Sequence, residues 1–348
     1  MRSATQTRII ATIGPACAQP KILEQMIREG VSVFRFNFSH GTRADHARLL
    51  ERVQAAQRKT GHRVGILQDL EGHRIRTGRL AGGRPVALNA GQHFALYRRQ
   101  ALGDHHGVSI DYPGRFTRIH PKRKIFIDDG KIHLEVTRAE PGKLITQVVE
   151  EGVLGEHKGV NIPGVPLDFP PISTKDVSDL EFGIRHRVEY VAQSFVRNAA
   201  DIHEVKSRLR HLPHTQVIAK VESREGIQNI AAILKAADGI MVARGDLGIS
   251  VPIYEIPILQ KWIIAACNHR RKIAITATQM LEHMIDHPMP TRAEVSDVAN
   301  AVIDGSNFVM LSGETAMGRY PVEVVRMMHT IIEHTERHAP FRGVRRSR

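Results

Sequence analysis

A chain of 348 residues, 42% hydrophobic and 24% charged, has the size and composition of one large globular domain or two smaller ones. No apolar run approaches the roughly 20 residues of a membrane span, and the start MRSATQTRIIATIG lacks a secretory apolar segment. Two cysteines, Cys17 and Cys267, make no disulfide framework and set a cytoplasmic expectation, while the net charge of +13 admits nucleic-acid binding or the steering of anionic substrates.

Eight short apolar stretches read as strands: residues 8–13, 31–36, 63–68, 189–193, 216–219, 239–242, 272–276 and 307–311. Helical patterns lie between them. Ile22, Leu23, Met26 and Ile27 make one that stops at Gly30; Ile202, Val205 and Leu209 make another. A third carries Ile227, Ile230, Ile233 and Leu234 on one face, and the last covers 322–334. Eight strand–helix units predict an α/β fold, a TIM (β/α)8 barrel rather than an open sheet. Residues 78–170 break the rhythm: helical signals vanish, turns multiply (AGGRP, PGR, DDG, EPGK, NIPG), and 124–127 and 132–136 alternate as antiparallel strands do. This predicts a small β-barrel lid inserted after strand three and capping the C-terminal face. The expected division is 1–77 and 170–338 for the barrel, 78–169 for the lid, and 339–348 for a basic tail.

Polar residues punctuate the strand ends. Arg35 ends strand two, Asp69 strand three, and Ser194 and Arg197 strand four; Lys220 and Glu222 end strand five, Arg244 and Asp246 strand six. Thr278 ends strand seven, and Ser312 and Glu314 strand eight. In a barrel all of these converge on one face. A lysine, two carboxylates and a turn loosened by Gly245 suit a divalent metal with a phosphorylated ligand, because hard cations take carboxylate oxygens and lysine neutralises phosphate. No GxxxxGK[ST] or GxGxxG motif is present. Basic residues are spread along the chain, densest at 84–124 and 342–348, and aromatics are only 5%, so anion steering is favoured over nucleic-acid binding. Other features read as structural: Met280, Met284 and Met289 as packing, and His334 with His338 as an exposed helix end. Taken alone, the turn at 37–41 is a loop and 69–78 a solvated connector.

Several motifs carry a family resemblance. They are Ala11-Thr12-Ile13-Gly14-Pro15, Phe34-Arg35-Phe36-Asn37-Phe38-Ser39-His40-Gly41, Ile75-Arg76-Thr77-Gly78 and Gly159-Val160-Asn161-Ile162-Pro163-Gly164. Further along stand Ala219-Lys220-Val221-Glu222, Met241-Val242-Ala243-Arg244-Gly245-Asp246-Leu247-Gly248 and Ala277-Thr278-Gln279-Met280-Leu281-Glu282. Pro290-Thr291-Arg292-Ala293-Glu294 and Met310-Leu311-Ser312-Gly313-Glu314-Thr315-Ala316 complete the set. In this order, and over nearly the whole chain, they resemble pyruvate kinase.

The resemblance implies phosphate transfer from phosphoenolpyruvate to ADP by a barrel with a β lid. It implies Glu222 and Asp246 as ligands of Mg²⁺ or Mn²⁺, Lys220 at the migrating phosphoryl group, and Gly245, Asp246 and Thr278 seating the substrate. Arg35 is implied at phosphate, and Asn37, Phe38, Ser39, His40, Arg76 and Lys158 at the nucleotide, with Lys158 reaching down from the lid. A hydroxyl relay through Thr278, extending to Ser312, is implied for protonation of enolpyruvate. Asn37, Ser39, Asp69 and the Leu70 carbonyl match a monovalent-cation position. Family members that need K⁺ carry glutamate where this chain has Arg74, so a fixed guanidinium is expected to replace K⁺. Departures are His73-Arg74, where proline and an acidic residue or lysine are usual, and His157, where lysine is common. The family's third, sugar-phosphate-binding domain has no counterpart in these residues, so a homodimer through barrel helices and no fructose-bisphosphate activation are expected. Two other readings stand beside this one: a lyase of the same barrel group, and a non-catalytic nucleic-acid-binding descendant.

Overall fold

A computed structural model describes residues 5–112, 114–128, 130–165 and 169–339; of the expected basic tail, residues 340–348 lie outside them. β1 (Arg8–Thr12) leads to α1 (Pro20–Glu29), β2 (Val31–Asn37) to α2 (Arg43–Thr60), and β3 (Gly65–Asp69) to the lid. The lid supplies β4 (Ile75–Arg76), β5 (Val86–Leu88), β6 (His93–Tyr97), β7 (Gly107–Ser109) and β8 (Lys124–Ile127). It continues through β9 (Ile132–Ala139), β10 (Lys143–Glu150), β11 (Gly152–Leu154) and β12 (Gly159–Asn161). The chain returns to the barrel with α3 (Thr174–His186), β13 (Tyr190–Gln193), α4 (Ala199–Arg208) and β14 (Gln216–Val221). Next come α5 (Arg224–Gln228), α6 (Ile230–Ala236), β15 (Gly239–Ala243), α7 (Arg244–Ser250) and α8 (Ile256–His269). β16 (Ile273–Ala277), α9 (Arg292–Ile303), β17 (Phe308–Leu311), α10 (Gly313–Ala316) and α11 (Pro321–His338) close the order.

The described residues form a closed barrel of parallel strands in the order β1-β17-β16-β15-β14-β13-β3-β2. Two-residue alternation decides which way each strand faces. Ile10, Val33, Leu67, Ile218, Met241 and Phe308 fill the barrel interior. Their neighbours Ile9, Phe34, Ile66, Val217, Ile240 and Val309 join the core shared with the helices. Local signals start and stop those helices. α1 opens with Pro20 and ends at Gly30, whose φ of +116° the absence of a Cβ permits. α2, α3 and α9 begin with reciprocal capping boxes, Thr42 with Asp45, Ser173 with Asp176, and Thr291 with Glu294. The motif 290–294 is therefore first a helix start.

The lid has its own core, which includes Phe94, Leu96, Ile125, Leu134, Val136 and Leu144. Its sheet runs β4-β12-β8-β9-β10-β6-β7, with β11 and β5 paired separately. A bridge between Thr77 and Ile110, just beyond the two edge strands, rolls the sheet toward closure. β4 opens the lid at Ile75, within the stretch assigned to the barrel from sequence.

Two expectations are corrected. The single helix expected around Ile227 to Leu234 is two, α5 and α6, parted at Asn229, whose amide donates to the Arg197 carbonyl at 2.9 Å instead of facing solvent along a continuous helix. Met280 and Met284 are buried, but Met289 is 61% exposed and so lies at the surface. No helix among the described residues is long and apolar enough to cross a membrane.

Candidate active site

Strands β2, β3, β13 and β14 deliver one buried charge cluster at the C-terminal face. Lys220, in the last turn of pleat of β14, places its ammonium 2.6 Å from Ser194 Oγ, 3.3 Å from Asp69 Oδ1 and 3.1 Å from Glu222 Oε1. Ser194 Oγ in turn donates to the Leu70 carbonyl at 2.7 Å. Arg35 Nε donates to Asp69 Oδ2 at 2.6 Å, and its Nη1 to Thr12 Oγ1 at 3.1 Å. Phe195, with φ of +54°, turns its N–H onto Glu222 Oε2 at 2.7 Å.

Burial and charge pull on these groups in opposite directions. For Asp69, burial would raise the carboxyl, but Lys220 and Arg35 outweigh it and hold it below the usual range. For Lys220, burial would lower the ammonium, yet Asp69 and Glu222 raise it. Glu222 is pushed up, chiefly by burial, with Lys220 opposing and the neighbouring Asp246 charge adding to the rise. Lys220 and Arg35 together offset Asp69 and Glu222, while Asp246, whose charge Glu222 feels, has only Arg74 among the described residues, at the longer distance of 3.5 Å. Glu222 Oε1 is buried, with the Lys220 ammonium at 3.1 Å as its ion-pair partner. A hard divalent cation suits the neighbouring carboxylates of Glu222 and Asp246, which repel one another: Mg²⁺ is commonly held by one or two carboxylates and completed by phosphate and water.

α7 begins directly after β15, so Gly245 and Asp246 occupy its first turn. Thr278 follows β16, and a Cβ at Gly245 would stand 3.2 Å from Thr278 Cγ2. Arg74 Nη2 lies 3.5 Å from Asp246 Oδ1, and the side chain crosses Gly159 so closely that a Cβ there would sit 2.5 Å from Arg74 Nε. Arg74 thus meets Asp246, on the carboxylate face of the site. On the cation position expected at Asn37, Ser39, Asp69 and Leu70, it is Arg35 that engages Asp69, Ser194 that engages the Leu70 carbonyl, and the Ser39 N–H that engages Asn37 Oδ1.

The turn after β2 is partly core. The Phe38 ring is buried, stacked on His46 at 4.1 Å and set against Phe182, so its side chain is part of the core. Asn37, Ser39 and His40 carry the turn's accessible polar groups. Arg76 is drawn to Glu71 at 2.6 Å and to the His157 carbonyl at 3.2 Å. Lys158 pairs inside the lid with Asp128 at 3.0 Å instead of reaching toward the barrel. The lid meets the barrel through Asn161, whose amide donates to Ser250 Oγ at 3.3 Å, while Ser250 Oγ donates to the Glu222 carbonyl at 2.8 Å. Between lid and barrel lies a cavity of about 380 Å³ bordered by His73, Asn161, Ser194, Ser223 and Ser250.

Two strand-end residues turn out to be structural. Arg197 pairs with Asp201 at 3.0 Å beside the start of α4. Glu314, pushed up by burial, accepts the N–H of Ser312 at 2.6 Å and of Leu281 at 3.2 Å, tying two loops together. Ser194, by contrast, touches Lys220 directly, and only its place at a strand end signalled that.

Comparison with known proteins follows the same lines. The model of the pyruvate kinase barrel domain matches residues 4–325. The chain is 45% identical to a pyruvate kinase of Geobacillus stearothermophilus over 97% of its own length and 58% of that protein's. It is 42% identical to a pyruvate kinase of Agrobacterium vitis over 99% of this chain and 71% of that protein. With pyruvate kinase PKLR of Homo sapiens it shares 44% over 96% and 60% respectively. The chain thus spans somewhat under two thirds of the length of several of these relatives.

Proposed function

The chain belongs to the pyruvate kinase family, and from that premise we propose that it transfers phosphate from phosphoenolpyruvate to ADP, giving pyruvate and ATP. The observation that carries the reading is the Lys220 ammonium, braced by Asp69, Ser194 and Glu222 at a mouth bordered by Gly245 and Asp246. Phosphoryl transfer asks a protein mainly for positioning and for compensation of charge on the equatorial oxygens. Lys220 and Arg35 supply fixed positive charge there. Gly245, Asp246 and Thr278 seat the enolpyruvate moiety, and the Thr278 hydroxyl passes the proton that converts enolpyruvate to pyruvate. Glu222 and Asp246 hold the divalent ion, Mg²⁺ or Mn²⁺. When bound, that ion neutralises charge on the phosphoryl oxygens and orients the donor.

Asn37, Ser39, His40, Arg76 and Lys158 take the nucleotide. Its phosphates replace Glu71 and Asp128 as partners of Arg76 and Lys158, which brings the lid down. Arg74 does not occupy the monovalent-cation position; it offers a fixed positive charge from the Asp246 side of the same phosphate site, and at an effective dielectric near 20 one charge about 4 Å from a phosphate contributes on the order of 4 kcal/mol. Self-association uses the apolar face formed by Ile253, Tyr254, Ile258 and Trp262, all exposed on the barrel.

A coupled assay for pyruvate from phosphoenolpyruvate and ADP tests the whole reading. Turnover in K⁺-free, tetramethylammonium-balanced buffer should stay within about a few-fold of that with K⁺, and Arg74→Glu should create K⁺ dependence. A chain already inactive without K⁺ removes the role given to Arg74. Pyruvate formed without ATP points to a lyase instead.

A further inference from the structure

Thr278 and Gln279 follow β16 with φ of +76° and +56°, left-handed backbone that side-chain-bearing residues rarely adopt. For a threonine, branched at Cβ, this is an outlier that persists only where surrounding contacts over-determine it. One side chain holds three of the turn's carbonyls. Arg244 Nε donates to the Thr278 carbonyl at 3.0 Å and to that of Ala277 at 3.3 Å. Its Nη2 donates to the Thr278 carbonyl at 2.5 Å and to that of Gln279 at 3.1 Å. Nη1 is anchored on Asp297 Oδ2 of α9 at 2.6 Å, and the side chain is only 11% exposed. Three successive carbonyls converge on one guanidinium, and the far side of the turn is closed by Gly245 against Thr278 Cγ2.

We propose that Arg244 is a positioning residue that clamps the backbone at 277–279 so that the Thr278 hydroxyl is presented beside Gly245. Without the clamp, the turn relaxes toward ordinary negative φ and the hydroxyl swings away. Arginine suits this task because its planar fork spreads donors over several carbonyls at once, which a lysine's point charge does not. The proposal rests on the phosphotransfer reading, in which Thr278 meets the substrate. A guanidinium that merely joined α7 to α9 through Asp297 would stabilise the fold but would be indifferent to the conformation at residue 279.

The test compares Arg244→Met and Arg244→Lys with the parent chain, each with and without Gln279→Gly, for kcat, KM for phosphoenolpyruvate and melting temperature. Glycine takes positive φ without a Cβ clash, so it restores by its own preference part of what the clamp imposes. Arg244→Met should lower kcat about 100-fold, the loss expected from a misplacement of about 1 Å, while KM changes by less than about ten-fold. Arg244→Lys should fall between. Adding Gln279→Gly to Arg244→Met should recover kcat about ten-fold and part of the melting temperature, yet shift the parent by less than about three-fold. Should Arg244→Met fail to fold, the lysine variant carries the same comparison. Turnover of the variant within about two-fold of the parent, or a glycine that helps both backgrounds equally, overturns the clamp. A parent that makes no pyruvate overturns the phosphotransfer reading instead. The melting-temperature cycle then decides the clamp alone: coupled substitutions support it and additive ones refute it.

Discussion

Lys220 compensates two buried carboxylates besides any phosphate it meets, so its removal has two separable consequences. Lys220→Met should reduce turnover by about 10³-fold or more, as loss of a transition-state cation does. It should also destabilise the fold by about 3–5 kcal/mol, because Asp69 and Glu222 are left buried with one cation fewer. Adding Asp69→Asn rebalances the charge, so the double variant should regain melting temperature and no activity. A stable, inactive single variant would show that the carboxylates do not depend on Lys220. His46 makes a second case. Its Nε2 lies 3.0 Å from the His40 carbonyl, which only accepts, so the ring proton sits on Nε2, while the buried Nδ1 has no hydrogen-bond partner among the described residues. Burial holds its pKa below the usual value, with the His40 contact opposing. Below about pH 6.5 the unfolded chain therefore binds the proton more readily than the folded one, and stability falls as pH drops. Replacing His46 with Phe should flatten the decline in melting temperature between pH 7 and 5.5; an unchanged slope would assign it to other groups.

At the scale of elements, the lid's position is set by the caps and turns that flank it. Asp176 closes the capping box of α3 and also accepts the Gly72 N–H at 3.2 Å, in a turn where Gly72 has φ of +73°. Helix start and hinge thus share one carboxylate. Asp176→Ala should cost about 2 kcal/mol, more than a cap alone, since the half-buried Gly72 amide loses its acceptor as well. Hydrogen exchange at residues 72–77 should rise with it. A loss confined to α3 would separate the two roles. Glu71 sits between Arg76 of the lid and Lys175 of α3, at 2.6 and 3.6 Å, and these half-exposed pairs add little stability individually. Their effect is directional: they hold the first lid strand against the barrel.

Among the described residues the lid has an apolar core of its own, separate from the two apolar layers of the barrel, inside its strands and between strands and helices. Lid and barrel each bury their own apolar side chains, so their unfolding need not be one cooperative event. The single tryptophan, Trp262 in α8, reports on the barrel when the protein is dilute enough not to self-associate through that face, whereas far-ultraviolet circular dichroism sums barrel and lid. In urea, the dichroism curve should begin to fall before the fluorescence curve as the lid opens first. Superimposed curves would mean that the lid–barrel contacts, Asn161 to Ser250 among them, couple the two parts.

Much of this architecture is written locally. The two-residue alternation of each strand, the glycine stop at Gly30 and the Thr291–Glu294 cap depend on residues a few positions apart, so the eight-stranded barrel followed from the sequence itself. The gathering of polar residues at one face followed too, because a parallel barrel must bring its strand ends together. What each of those residues does there was decided by contacts between distant segments. Phe38 is core because α2 and α3 close over it, and Lys158 meets Asp128 because a lid hairpin presents that carboxylate. Arg74 faces Asp246 across the lid hinge, and Arg244 grips carbonyls more than thirty residues further along the chain. The left-handed turn at Thr278 has no local signature, since threonine and glutamine favour other backbone conformations. Only the packed structure, with a guanidinium on one side and Gly245 on the other, imposes it.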